Sequence, residues 1–116
     1  MQLPADPTFA EFWPWYLGEH RRHATRAIHT LGTVAYLSWL GAALVARKPE
    51  LALACPVIAY GAAWLSHLFV EKNRPATFRH PLLSLWADHV MAWYVLTGRI
   101  DAELKRLGIK SLPEAR

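Results

Sequence analysis

The residues of this sequence best suited to chemistry are its histidines, and their spacing is informative. His29 and His67 each stand about nineteen residues from the middle of a short polar break at Arg47, Lys48, Pro49 and Glu50. On two antiparallel helices running from that break, both rings climb about 28 Å and reach the same depth. His20 lies just ahead of the first helix and can join them. Glu71 follows His67 by four residues, which puts both side chains on one helix face. A lone histidine near a membrane surface ordinarily hydrogen-bonds or snorkels, so it is the shared depth that argues for ligation. Three imidazoles with a carboxylate suit iron, zinc or copper. For Glu71, a surface salt bridge with Lys72, Arg74 or Arg79 is an equal alternative.

Asp88 is an acid within an apolar stretch. Such placement is expensive and marks function or a buried partner; here it suits an acceptor for the spare N–H of a metal-bound imidazole. His23, His80 and His89 are expected to be solvated or supporting groups. The aromatic positions Trp13, Trp15, Tyr16, Trp64, Trp86, Trp93 and Tyr94 are expected to pack or to form an interfacial belt. The single Cys55 excludes an intrachain disulfide and a thiolate cluster, and reads as a small buried hydrophobe.

The elements that must position these groups are helical. Of 116 residues, 53% are apolar, and the polarity is segregated. Ala27 to Ala46 and Leu51 to Val70 are two runs of about twenty residues, each without a charged or imidazole group apart from one histidine, and each long enough to cross a bilayer core of about 30 Å. They are expected to form an antiparallel hairpin. Phe9 to His20 reads as an amphipathic helix at the headgroup layer, capped by Asp6 or Thr8 and made either short or kinked by Pro14. Pro81 to Gly98 is a third apolar stretch that could cross or dip in and return. Ile100 to Lys110 reads as an amphipathic surface helix. The expected fold is therefore all-α: one membrane-embedded domain over residues 1–116, a helical bundle built on a hairpin.

The net charge of +4 comes from basic residues just outside the apolar runs. That fits flanks facing anionic lipid better than phosphate recognition, so no nucleic-acid partner is expected. Arg21, Arg22, Arg26, Lys72, Arg74 and Arg79 flank the open end of the hairpin, against Arg47 and Lys48 at its turn. The open end is thus expected to face the cytoplasm, with the inner membrane as the location if the source is bacterial. Met1 to Pro7 carries no Lys or Arg and no secretory signal is read there.

At these residues the sequence resembles a known family, the small membrane 2-hydroxy fatty acid dioxygenases associated with degradation of phytosphingosine to odd-numbered fatty acids. The matching pieces are FWPWYLGEH at 12–20, RAIHTLGT at 26–33, SHLFVEKNRPATF at 66–78 and HPLLSLWADHVM at 80–91. The resemblance implies an iron(II)-dependent enzyme in which O2 cleaves the bond between the carboxyl carbon and the hydroxylated carbon, shortening the chain by one. His20, His29 and His67 match the family's histidines. Glu71, Asn73, Pro75 and Asp88 match its other motif residues, with Glu71, Asp88 and Asn73 implied as catalytic. The spacer RRHATRAI departs from the Asn-Pro turn of relatives. A 2-hydroxy acid can chelate iron through its carboxylate and hydroxyl, and Arg74 or Lys72 could steer that carboxylate. Membrane lipid is the expected surroundings, and a homo-oligomer is left open. The rival readings are a non-catalytic membrane scaffold or lipid-binding protein, and a zinc-dependent lipid hydrolase.

Overall fold

The computed structural model describes residues 3–76 and 79–112, so Thr77 and Phe78 of the longest motif lie outside the described residues. Every extended element among the described residues is a helix. Helix α1 covers Phe9–Gly18 and starts with a capping box, in which Glu11 N–H donates to Thr8 Oγ1 at 3.3 Å and Thr8 N–H to Glu11 Oε1 at 3.0 Å. Thr8, not Asp6, is therefore the cap, and the helix continues through Pro14.

Helix α2 covers His23–Val45 and forms the first rod. The second rod is continuous over Pro49–Glu71 but changes its winding twice. It opens as a 3-10 helix at Pro49–Ala54, becomes helix α3 at Cys55–Leu65, and ends as a π-helical turn at Ser66–Glu71. At about 1.5 Å per residue the two 23-residue rods are each about 34 Å long, enough to cross a membrane. The expected hairpin thus exists, with its first rod starting four residues earlier than the apolar run suggests. Helix α4, Pro81–Leu96, has 16 residues and is about 24 Å long, less than the hydrocarbon thickness. Helix α5 is Ile100–Arg106.

The two rods approach closely where neither has bulk. A Cβ placed on Gly32 would lie 2.7 Å from the Ala62 Cβ. Small residues at such a crossing let backbones touch, as in membrane helix pairs. Because Gly32 is one turn from His29, and Ala62 little more than one turn from His67, this crossing sets how far apart the two rings stand.

The apolar core lies at one end rather than between the rods. Phe12, Trp13, Tyr16 and Leu17 of α1 pack with Ala87 and Met91 of α4 and with Ile100 and Leu104 of α5. The aromatic face of α1 is thus covered by protein, so Trp13 and Tyr16 are packing residues and not part of a lipid-facing belt. Trp13 stacks on Phe9, Tyr16 and Tyr94, and its Nε1–H donates to Glu103 at 3.2 Å. The chain then returns to the start of α2: Leu112 N–H donates to Arg21 O at 2.8 Å and Arg21 Nε–H to Lys110 O at 3.1 Å.

Candidate metal centre

Three elements deliver one imidazole each to a single point. His20 follows the last turn of α1, His29 lies in the second turn of α2, and His67 is the second residue of the π-turn. All three are buried. Their ring centroids are 4.5 Å (His20 to His29), 4.4 Å (His20 to His67) and 5.0 Å (His29 to His67) apart, each pair near perpendicular. One nitrogen from each ring lies within 4.8 Å of the others.

The hydrogen bonds behind the rings decide which nitrogens face inward. His20 Nδ1 donates to the Tyr16 carbonyl at 2.7 Å. Asn73 Nδ2 donates to Glu19 O at 3.0 Å and to Glu19 Oε2 at 2.7 Å, so its Oδ1 is left to accept from His67 Nδ1. His29 Nδ1 faces Asp88 Oδ1 at 3.4 Å. With the proton on Nδ1 in each ring, the three Nε2 atoms carry bare lone pairs. His20 Nε2 and His67 Nε2 face each other at 2.9 Å, and His29 Nε2 is buried without a hydrogen-bond partner.

Two lone pairs at that distance repel unless something positive lies between them. A shared proton is disfavoured: burial holds the His20 ring well below its ordinary 6.5, with His29 and His67 adding to the effect. A metal ion fits better. Two nitrogens bound at right angles to one first-row ion, at about 2.1 Å each, are about 3.0 Å apart. The donor set therefore fits a divalent transition metal, with imidazole nitrogens on one side.

Supporting groups fix this arrangement. The Tyr16 ring stacks on His20, with centroids 4.0 Å apart, and its hydroxyl donates to Asp88 Oδ1. Burial, then the Asp88 charge, raises the Tyr16 phenol well above its ordinary 10.0, which keeps it a donor. Glu71 accepts from the Arg21 N–H at 2.8 Å, the Arg22 N–H at 3.2 Å and the Thr25 hydroxyl. These are groups at the start of α2, where a carboxylate is favoured by the unpaired amides. Glu71 is thus placed behind the rings, as a clamp between the rods, and both its oxygens are engaged. Arg26, expected at a basic flank, is instead 2% exposed and donates from Nη1 to His20 O at 2.9 Å and from Nη2 to Ser111 Oγ at 3.1 Å.

The residues expected to steer a carboxylate sit further out. Lys72 is exposed, with a left-handed φ of 62°, and ends the second rod. Arg74 is exposed and lines a neighbouring cleft of about 350 Å³ with Trp15, Glu19, Pro75 and Arg79. Pro75 also borders the histidine cavity, so the two spaces adjoin. His23 is exposed, His80 stands edge-on to Phe12, and His89 pairs with the Tyr36 hydroxyl. Tyr16 and Ser84 border the histidine cavity too, although their residue types gave no sign of it in the sequence.

Comparison with curated proteins and with solved structures finds no match. A family model does match, over residues 7–100, and its span takes in all three histidines, Glu71, Asn73 and Asp88. Motifs, spacing and the match over most of the sequence agree: the chain belongs to the 2-hydroxy-palmitic acid dioxygenase Mpo1-like family.

Proposed function

We propose that this protein is an iron(II)-dependent dioxygenase of the membrane that shortens 2-hydroxy fatty acids by one carbon. The observation that carries the reading is the convergence of three buried imidazoles whose bare Nε2 atoms meet at one point, within a chain of a family named for that activity. The overall reaction balances with O2 as oxidant: R–CH(OH)–COOH and O2 give R–COOH, CO2 and H2O. Ferrous iron, when bound, supplies the redox chemistry that lets O2 react with the acid.

The remaining work falls to the chain itself. Asn73, Asp88 and the Tyr16 carbonyl hold the three rings by their Nδ1 atoms, which keeps Nε2 free for the ion. Glu71 ties the end of the second rod to the start of α2, so the rings on the two rods keep one separation. Burial excludes bulk water around all three rings. Arg74, which lines the adjoining cleft with Arg79, would draw the acid's carboxylate inward, and the exposed Lys72, two residues before it, would add positive charge.

Membrane integration is supported by where the apolar surface lies. Only 28% and 17% of the apolar stretches of the two rods are buried within the chain, whereas the core helix of a soluble domain is mostly covered. Leu31, Val45, Leu53, Val57 and Phe69 are all exposed on the rods. Such a surface suits lipid, and a fatty acid tail lying along it reaches the histidine end with its head. The charge asymmetry at that end points to the cytoplasmic side.

The test is direct. Purified chain loaded with Fe(II) and given O2 and 2-hydroxyhexadecanoate should yield pentadecanoate, while His29→Ala and His67→Ala should lose both product and metal. Bound iron without product would remove the substrate assignment. Full metal content in both variants would remove the ligand assignment.

A further inference from the structure

Ser84 lies in the first turns of α4, is 2% exposed, and has an Oγ with no hydrogen-bond partner among the described residues. That is unusual for a helical hydroxyl, which ordinarily bonds back to a carbonyl of the preceding turn. Other hydroxyls of this chain do so: Thr30 donates to Arg26 O at 2.8 Å, Ser66 to Ala63 O at 2.7 Å, and Thr97 to Trp93 O at 2.7 Å. Ser84 alone among these four leaves its hydroxyl unspent, while its backbone N–H makes the regular bond to His80 O at 2.9 Å. A buried hydroxyl without a partner is costly to maintain and calls for an explanation.

Its position supplies one. Ser84 borders the same small cavity as the three histidines, Asp88 and Tyr16. Among the described residues, the other buried polar atom on that cavity without a hydrogen-bond partner is His29 Nε2. One wall therefore offers a lone pair suited to a metal ion, and another offers an O–H suited to an oxygen bound beside it. The cavity itself is about 10 Å³, room for about one water-sized group, so a single oxygen can come near Ser84 and a long tail stays outside.

We propose that the Ser84 hydroxyl donates a hydrogen bond to one oxygen atom of a 2-hydroxy acid held at the three-histidine site, and so helps select that class of acid. The proposal rests on the reading given under Proposed function. An acid bearing neighbouring carboxylate and hydroxyl oxygens can meet the metal and the serine together. A plain fatty acid has one fewer oxygen to share between them.

The experiment uses the full chain in lipid nanodiscs loaded with Co(II), whose visible spectrum reports both the metal and what binds it. Ser84→Ala and Ser84→Thr are compared with the unmodified protein during titration with 2-hydroxyhexadecanoate and with hexadecanoate. Ser84→Ala should take up one Co(II) as before, bind the hydroxy acid about tenfold more weakly, and discriminate less against hexadecanoate. Ser84→Thr, which keeps the hydroxyl, should retain most of the affinity. Unchanged affinity for the hydroxy acid in Ser84→Ala overturns the proposal, as does loss of Co(II) from that variant. Failure of the unmodified protein to bind Co(II) is a separate result, and it removes the metal reading along with this one.

Discussion

The Tyr16 hydroxyl donates to Oδ1 of Asp88, 72 residues further along the chain, and the same carboxylate oxygen faces His29 Nδ1. Tyr16 also touches His20 twice, through its ring and its carbonyl. One side chain on α1 thus bears on two of the three imidazoles, each carried by a different part of the chain.

Tyr16→Phe keeps the ring stack and removes the hydroxyl. It should lower stability by about 1–2 kcal/mol and weaken metal affinity by roughly tenfold, through a less firmly held Asp88 and His29. Metal titration of the variant checks this. Affinity equal to that of the unmodified chain would show that the hydroxyl does not support the site.

Gly32→Ala puts a methyl group 2.7 Å from the Ala62 Cβ, with no flexible side chain to give way. The rods must separate, so the variant should lose about 1–3 kcal/mol and bind metal less tightly. Gly61→Ala, which meets nothing within 4 Å, serves as the control and should melt at the same temperature or above. Equal melting temperatures for Gly32→Ala and the unmodified protein would show that the crossing is looser than it looks.

Glu103 gives a pH dependence away from the three histidines. Its hydrogen bond with Arg106 holds the carboxyl below the ordinary 4.5, against the opposing effect of burial, and the bond from Trp13 helps. A carboxylate lowered in the folded state adds stability that is present above its unfolded value and is lost as the pH falls through the folded one. The packing of α5 on α1 should therefore weaken on acidification from about pH 5 toward pH 3. Glu103→Gln should flatten that part of the stability profile. An identical profile in both proteins would assign the acid sensitivity elsewhere.

Much of this arrangement was legible because helices rise by a fixed amount per residue. Nearly equal distances from one break place His29 and His67 at about one height, even though the second rod opens as a 3-10 helix, which rises more per residue. The hairpin, its length and the short first helix follow from similarly regular patterns. The direction of each ring was harder to read. His67 sits in a π-turn, and the next chain segment returns to it, with Asn73 N–H donating to His67 O at 3.0 Å. No local signal in SHLFVE marks that widening, which recurs at functional sites in helices. Tyr16 and Ser84 were illegible for another reason: a tyrosine and a serine on apolar helices look like packing until their neighbours are known. Arg26 counted as a flanking charge, and only the fold shows it buried beneath His20.

The pairing of Leu112 with Arg21 has a practical consequence for anyone building on this molecule. Leu112, the last described residue, is fastened to Arg21, the neighbour of His20, so the described chain comes back to the imidazoles. Any affinity handle, fluorophore or fused neighbour joined directly after Leu112 would start close to the three imidazoles. Reporters are better spliced into the opposite bend, around Arg47 and Lys48.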